Sequence, residues 1–223
     1  MERKNRLSMI DLVYVIGTRI PRTVAWFYPD ILWHIPTVAK TVYFTFDDGP
    51  TPGGTGRLLD VLARYDAHAS FFLLGQCAER YPGLVRALAD AGHTIGNHTY
   101  SHPNAWTINE EVLLHELERT TSLLEDLTQQ PIRWMRPPYG YFTRPMRSWC
   151  QLRRQRLTMW DLGTGDFLRG ATQAQVEQRI LKGIRPGSIV VLHDNPNTTL
   201  IAPNALAAVL AHLRGEGWHF AAL

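Results

Sequence analysis

The feature that most constrains the fold is an alternation of two hydrophobic periods that runs from Thr41 to the C-terminus. Short runs rich in β-branched and aromatic residues are typical of buried strands, and they occur at 42–46, 70–74, 94–95, 133–136, 157–160 and 188–192. Helical patterns separate these runs, at 57–65, 78–91, 109–127, 144–154, 172–182 and 202–213. Residues 218–223 are consistent with a last strand. Repeated strand-then-helix units predict a parallel sheet.

A length of 223 residues fits one domain with a single large core. We therefore expect an α/β fold, a distorted (β/α) barrel of about seven parallel strands in one domain, with an open doubly wound sheet as the competing arrangement. The catalytic domain would span residues 41–223, after a lead-in segment at residues 1–40. Prolines and aromatic residues crowd residues 20–40, which predicts an extended segment laid across the domain; an aromatic carbohydrate-binding strip is the alternative.

The longest helical pattern, at 109–127, carries its own start signal. Thr107 and Glu110 have the spacing of a capping box, in which two side chains satisfy free backbone N–H groups. We therefore expect Thr107 to cap this helix.

Composition excludes several classes of protein. The chain is 45% hydrophobic and 19% charged, with a formal net charge of +3, as in an ordinary globular domain. No run of Lys and Arg is long enough to indicate a nucleic-acid-binding surface. Cys77 and Cys150 do not form a CxxC pair, so we expect two small buried residues, although one disulfide between them stays open.

The first residues give no clear signal peptide. An apolar run at 7–17 contains Asp11, is soon followed by Arg19, and is too short to span a bilayer. We interpret the run as a short helix or lead-in packed on the domain, with a targeting or membrane-surface segment as the alternative. The compartment, cytoplasm or cell envelope, and the oligomeric state stay open.

Polar residues gather where the predicted strands end. Functional residues of (β/α) barrels lie at the carboxyl ends of the strands, so these side chains should meet at one end of the barrel. They are Asp47 and Asp48 after the first strand, His98 and His102 after the third, residues 136–139 after the fourth, Asp161 and Asp166 after the fifth, and His193 and Asp194 after the sixth.

Three of these residues suggest a metal site. His98 and His102 are four positions apart, a spacing that can present both imidazoles to one point from a single helical turn. An HxxxH pair alone is often a surface coincidence. Two histidines and one carboxylate, however, make a three-ligand set with an open position for water, the arrangement of a catalytic zinc.

Two further segments could assist such a site. His193 ends a buried strand and can donate a proton near neutral pH, although a structural histidine is the alternative interpretation. Arg136 begins the segment RPPYG (residues 136–140), whose prolines and glycine fix the backbone. Such a loop can aim an N–H group, here that of Tyr139, at an oxyanion.

In combination, the segments TFDDGP (45–50), HTYSH (98–102), RPPYG (136–140), 161–167 and VVLHD (190–194) resemble the polysaccharide deacetylases. This family, also called the NodB homology domain or carbohydrate esterase family four, includes chitin, peptidoglycan and nodulation-factor oligosaccharide deacetylases. The five segments match in the family's order, and the resemblance runs from about Thr41 to His193. It implies a metal-dependent hydrolase that removes the acetyl group from an N-acetylated amino sugar in a glycan.

The resemblance also implies a role for each matching residue. Asp48, His98 and His102 would bind one divalent metal ion, expected to be Zn²⁺. Asp47 would be the general base, with its charge held by Arg136. His193 would be the general acid, oriented by Asp166. The backbone N–H of Tyr139 would stabilise the oxyanion, and the substrate would contact a set of four residues, namely Pro138, Tyr139, Phe167 and Val191.

The chain departs from the family pattern beside the acid. Gly163 stands where the family often has Asp, Phe167 where it often has Trp, and Val191 where it often has Leu. The last two positions wall the acetyl-methyl pocket in the family, so the wall stays apolar while the acyl group and the substrate stay open. The alternatives are a metal hydrolase acting on another amide or ester, and a glycan-binding domain without turnover.

Overall fold

The computed structural model describes residues 22–223, so the predicted lead-in at 1–21 lies outside the described residues. Its eight strands are β1 Thr41–Asp47, β2 Ser70–Leu73, β3 Thr94–Asn97, β4 Trp134–Met135, β5 Arg156–Leu157, β6 Leu162–Gly163, β7 Ile189–His193 and β8 His219–Phe220. Its helices are α1 Arg22–Phe27, α2 Gly54–Arg64, α3 Gly75–Arg80, α4 Pro82–Asp90, α5 Glu110–Thr128, α6 Arg144–Leu152, α7 Gln173–Gly183 and α8 Ile201–Gly215. A short 3₁₀ turn covers Pro138–Gly140.

All the strands are parallel, in the order β5-β4-β3-β2-β1-β7-β6, and β8 pairs with the start of β1. The seven strands of this path curl into a half-barrel surrounded by helices. This confirms the expected α/β distorted barrel of about seven parallel strands. The terminal strand expected at 218–223 is also present, as β8.

Two apolar clusters lie on the two sides of the sheet, because side chains alternate along each strand. On β7, Val190 and Leu192 pack in the outer cluster against the helices, whereas Ile189 and Val191 face the inner cluster. Val42, Phe44 and Phe46 of β1 belong to the outer cluster and are fully buried. Burial on both faces explains why these strands are near-continuous apolar runs in the sequence.

The helix predicted at 78–91 is wrong, since the structure has two helices there. Helix α3 ends at Arg80, and α4 begins at Pro82. Tyr81 between them has φ −129° and ψ 56°, outside the helical region. Proline disfavours the helical conformation in the residue that precedes it and suits the first turn of a new helix, so the break falls here.

The predicted cap of the longest helix is also wrong. The N-cap of α5 is Asn109, whose side-chain oxygen accepts a hydrogen bond from the N–H of Glu111 at 2.8 Å. The hydroxyl of Thr107 instead donates to the carbonyl of Asn104. Asparagine caps helices as well as threonine does, and it is the residue next to the first turn.

The strand expected at 157–160 is divided in the structure. Only Leu157 of this run belongs to β5. Leu32 of the lead-in forms a parallel bridge with the next residue, Thr158: Leu32 N donates to Leu157 O at 2.9 Å, and Met159 N donates to Leu32 O at 2.7 Å. The chain then enters β6, so Asp161 precedes a strand instead of following one.

The described part of the lead-in is partly helical, which the prolines did not predict. Residues 22–27 form α1, whose Trp26 and Phe27 are exposed, whereas Ile31, Leu32 and Trp33 are buried against the sheet. Cys77 and Cys150 are free cysteines. Within residues 22–223, the helices are all too short or too polar to cross a membrane.

Candidate active site

A pocket of about 310 Å³ opens at the carboxyl ends of the central strands. Strand pairing brings the site together, because Asp47 at the end of β1 lies opposite His193 at the end of β7. His98 follows directly after β3, two strands away on the other side of β1. The pocket is lined by Asp47, Asp48, His98, His102, Pro137, Tyr139, Tyr141, Trp160, Phe167, His193, Asn195 and Asn197.

Three side chains of this pocket could hold a metal ion. The ligand atoms of Asp48, His98 and His102 all lie within 4.8 Å of one another. The Nε2 atoms of His98 and His102 are 3.6 and 3.3 Å from Oδ1 of Asp48. Asp48 Oδ1 is buried and accepts no hydrogen bond from the described residues, which is costly for a carboxylate oxygen unless a cation faces it. The three residues therefore fit a divalent metal ion.

Neighbouring groups orient two of these ligand side chains. His98 Nδ1 lies 2.7 Å from the backbone carbonyl of Arg136, so the ring N–H that donates to this carbonyl leaves Nε2 free to bind a metal. Asn195 Nδ2 donates to Asp48 Oδ2 at 3.0 Å, which turns Oδ1 towards the histidines. Such outer contacts fix ligand geometry in metal sites.

The two histidines do not lie on one helical turn, contrary to the sequence interpretation. Residues 98–102 form a loop, with φ 69° at Thr99 and φ 64° at His102, and Asp48 also has a positive φ, of 77°. Left-handed backbone at non-glycine residues is uncommon and persists only where the surroundings hold it. Asn97 helps to hold this loop, because its Oδ1 accepts a hydrogen bond from the N–H of Thr99 at 2.7 Å.

Asp47 and Arg136 form a buried ion pair beside the ligand cluster. Arg136 is fully buried and donates from Nη1 to Asp47 Oδ1 at 2.8 Å and to the hydroxyl of Thr45 at 2.7 Å. The guanidinium also donates to the carbonyl of Met159 and lies over the ring of Phe72. With Oδ1 held in this way, Oδ2 of Asp47 is left on the side of His98, 4.0 Å from its Nε2.

His193 also lines the pocket and is held by Asp166. The ring Nδ1 is 2.8 Å from Asp166 Oδ1, and the backbone N–H of His193 donates to Asp166 Oδ2 at 2.7 Å. Thr164 donates its hydroxyl to the same carboxylate. Burial alone would lower the pKa of His193, but the charge and hydrogen bond of Asp166 outweigh burial and raise the pKa to about 9.

Unlike the pKa of His193, the pKa values of His102 and Asp48 are lowered. Burial, and then the neighbouring charge of His98, lower the pKa of His102 to about 4, so this imidazole is neutral at pH 7 and has a lone pair to offer. Burial by itself would raise the pKa of Asp48, but the imidazole of His98, 3.6 Å from Oδ1, and the nearby charges of His193 and His102 lower it well below its usual range.

Asp194, directly after His193, differs from both His102 and Asp48. Its carboxylate lies under the loop that carries Asp48, where it accepts a hydrogen bond from the hydroxyl of Thr55. Burial raises the pKa of Asp194 to about 7. Gly49 and Gly54 approach this carboxylate so closely that a Cβ at either glycine would lie 2.5 Å from one of its oxygens. Asp194 therefore packs the loop and does not line the pocket.

Only two of the four residues expected to contact the substrate line the pocket. Tyr139 lines the pocket with φ 58°, and Phe167 lies against the His193 ring with centroids 4.8 Å apart. Pro138 and Val191 are buried and are not among the side chains that line the pocket. Val191 lies in the inner cluster together with Trp160, whose ring does line it. A direct contact of Pro138 or Val191 with the substrate stays a prediction.

Asp161 does not lie at this end of the barrel, so its expected position is wrong. Its carboxylate accepts from the N–H of Ile189, the first residue of β7, and pairs with Arg185 at 3.1 Å. It therefore lies where the strands begin. Sequence analysis missed Asn195, Trp160 and Tyr141, although Asn195 stands only two positions after His193 and Trp160 ends a predicted strand.

The fold is an α/β half-barrel whose pocket fits a divalent metal ion, and comparisons with known proteins show its family. The family model described as polysaccharide deacetylase matches residues 34–154. The chain belongs to the polysaccharide deacetylase family.

Curated relatives and solved structures agree with this family. The chain is 34% identical over 183 residues to a peptidoglycan-N-acetylglucosamine deacetylase of Bacillus cereus, with 82% of this chain and 66% of the relative covered, so it spans just under two thirds of that protein. It is 33% identical over 190 residues to a chitooligosaccharide deacetylase of Rhizobium leguminosarum bv. trifolii, with 79% of this chain and 87% of the relative covered. The crystal structure of a peptidoglycan N-acetylglucosamine deacetylase superposes with a TM-score of 0.84 at 30% identity. The superposition covers 89% of this chain and 94% of that structure.

Proposed function

We propose that the protein is a metal-dependent N-deacetylase, which hydrolyses the acetamide of an N-acetylated amino sugar within an oligosaccharide or polysaccharide. The observation that carries this proposal is the pocket, which brings together a two-histidine, one-carboxylate cluster, a second carboxylate and a histidine held by an aspartate. The relatives, named for peptidoglycan N-acetylglucosamine and chitooligosaccharides, support a glycan substrate.

Asp48, His98 and His102 would hold the metal, and we expect Zn²⁺, because two imidazoles and one carboxylate are a common ligand set of catalytic zinc. When bound, such a metal acidifies water and polarises the acetyl carbonyl. Three protein ligands would leave a coordination position open to water, as in catalytic zinc sites.

Asp47 would act as the general base. Its Oδ1 is occupied by Arg136, which balances the negative charge, and its Oδ2 is on the side of the ligand cluster. A carboxylate placed there can take the proton of the attacking water without binding the metal itself. A second carboxylate on the metal would instead make the water less acidic.

His193 would act as the general acid. Asp166 accepts from Nδ1, which fixes the ring and leaves Nε2 to give its proton to the leaving amine. The raised pKa of His193, about 9, keeps the ring protonated at neutral pH before the amine leaves. The backbone N–H of Tyr139 would donate to the developing oxyanion, an interaction that is strongest in the transition state.

The acetyl methyl would occupy the apolar side of the pocket. Phe167 and Trp160 line that side, next to His193, and Val191 and Pro138 would support it from behind. An apolar wall of this kind selects acyl groups by size, since one extra methylene in such a pocket is worth about 1–3 kcal/mol.

Acetate release and metal content, measured on the same preparations, test this proposal. We expect acetate from chitooligosaccharides or peptidoglycan fragments, loss of activity with a chelator, and its return with Zn²⁺. Acetate release only from esters, or only from amides outside glycans, would favour the alternative of a metal hydrolase acting on another amide or ester. Glycan binding without any release, at full metal occupancy, would favour the non-catalytic alternative and contradict the proposal.

A further inference from the structure

Three aromatic side chains lead out of the pocket onto the surface. Tyr139 and Tyr141 line the pocket, with ring centroids 5.9 Å apart. Trp106 lies beyond them and stacks on Tyr141, with centroids 4.0 Å apart and an interplanar angle of 13°. The indole is nevertheless 62% exposed. The surface formed by Trp106, Tyr139 and Tyr141 is called the aromatic platform below.

The platform is held in place by its own loops. The indole Nε1 of Trp106 donates to the carbonyl of Phe142 at 3.2 Å, which ties the loop after His102 to the loop after Arg136. The N–H of Trp106 donates to Asn104 Oδ1, and the preceding Ala105 is buried. An exposed tryptophan fixed in this way loses little conformational freedom when a ligand covers it.

An apolar surface next to a polar pocket suits a ligand that has both an apolar face and polar groups. A pyranose ring has one face of C–H groups and a rim of hydroxyls, so it can lie flat on an aromatic ring while its hydroxyls stay in water. The platform is continuous with the pocket that would hold the reacting sugar, because Tyr139 and Tyr141 belong to both. A sugar linked to the reacting one would therefore lie next to the platform.

We propose that Trp106, stacked on Tyr141, is a binding subsite for a neighbouring sugar of the chain being deacetylated, and that it makes the enzyme prefer oligomers to monosaccharides. This inference rests on the proposed glycan deacetylase function. It assigns substrate binding to a residue that belongs to none of the five sequence segments that predicted the site.

The experiment compares Trp106→Ala with a matched control, Trp26→Ala, which removes another exposed tryptophan from α1, outside the pocket. Deacetylation kinetics are measured on N-acetylglucosamine and on its β-1,4-linked tetramer. For Trp106→Ala we expect a KM for the tetramer higher by roughly tenfold, the size of one lost apolar ring contact, with kcat and the monosaccharide kinetics nearly unchanged. Trp106→Phe should restore most of the affinity.

Calorimetric binding of the tetramer to an Asp47→Asn background gives a second readout that does not need turnover. There, Trp106→Ala should weaken binding and Trp26→Ala should not. An equal loss on monomer and tetramer, or no loss in either assay, would overturn the subsite while leaving the deacetylase function in place. An unaltered protein that released no acetate from any glycan would overturn both.

Discussion

Two carboxylates at opposite ends of the strands, Asp161 and Asp48, show how the same side chain serves structure or chemistry. Asp161 is 2% exposed, and its oxygens accept from a backbone N–H, from the hydroxyl of Ser188 and from Arg185. Asp48 has one oxygen held by Asn195 and one buried oxygen that accepts no hydrogen bond within residues 22–223. Satisfied acceptors stabilise the fold, whereas an unsatisfied one facing two imidazoles fits the coordination of a cation.

The largest expected effect comes from breaking the ligand cluster. Replacing both His98 and His102 by Ala should abolish metal binding, and activity should fall by roughly 10³-fold or more, because the metal both acidifies water and polarises the carbonyl. Metal analysis of the purified variant together with acetate release measures this. Stoichiometric metal in the double variant would show that the ligand assignment is wrong.

The next largest effect distinguishes the proposed general acid and base from the proposed metal ligands. Asp47→Asn and His193→Ala should each keep the metal and lose about 2–5 kcal/mol of transition-state stabilisation, the usual size of general acid and base contributions. Steady-state kinetics on metal-loaded protein give this value. Near wild-type turnover in either variant would contradict the proposed mechanism.

The pH dependence of stability examines the His193–Asp166 pair in the metal-free protein. The pKa of His193 is raised from 6.5 to about 9, so its stabilising contribution is fully present below pH 6.5 and is lost as the pH rises through 9. The loss should be on the order of 1–3 kcal/mol. Urea unfolding between pH 6 and pH 10 measures it, with His193→Gln as the control whose slope should be flatter; equal slopes would contradict the assigned pair.

Asp161→Asn is the counterpart at the other end of the strands. This change removes the ion pair with the partly exposed Arg185 and should lower the free energy of unfolding by about 1–2 kcal/mol. Metal content and kcat should stay unchanged. If the variant lost its metal, the division between a structural and a chemical end of the barrel would fail.

The smallest effect concerns the acyl pocket. Phe167→Trp combined with Val191→Leu restores the bulkier residues that the family often has, and should shift the preference between acetyl and propionyl substrates by about 1–2 kcal/mol. Metal affinity should hardly change, because Phe167 packs on the ring of His193 and Val191 lies in the inner apolar cluster. Identical acetyl-to-propionyl ratios before and after the change would contradict this placement.

Residues that end long buried strands could be predicted from the sequence, because the strand pattern itself fixes where Asp47 and His193 lie. The geometry of the His98–His102 loop could not, since it depends on left-handed backbone held by Asn97. Asp161 was misplaced for a related reason. Strands of two residues, such as β5 and β6, have too little periodicity to show where one ends and the next begins.

Contacts that side chains make with distant segments could not be predicted from the sequence either. Asn195 and Trp106 have no motif of their own, and each acquires a position only when two loops meet. Asn195 stands 147 positions from the carboxylate it orients. Local patterns carry no information about pairs that far apart, so sequence reasoning missed both contacts.

The pairing of β1 with β7 also sets the order in which this site can be completed as the chain is made. Thr45 and Val190 are hydrogen-bonded across the sheet although 145 positions separate them. Asp48, His98 and His102 are all present once residue 102 has been synthesised, and Arg136 comes soon afterwards. His193 comes much later, with the strand that completes the middle of the sheet. Such distant pairing slows folding, so a nascent chain would have the three proposed metal ligands well before it had the proposed acid.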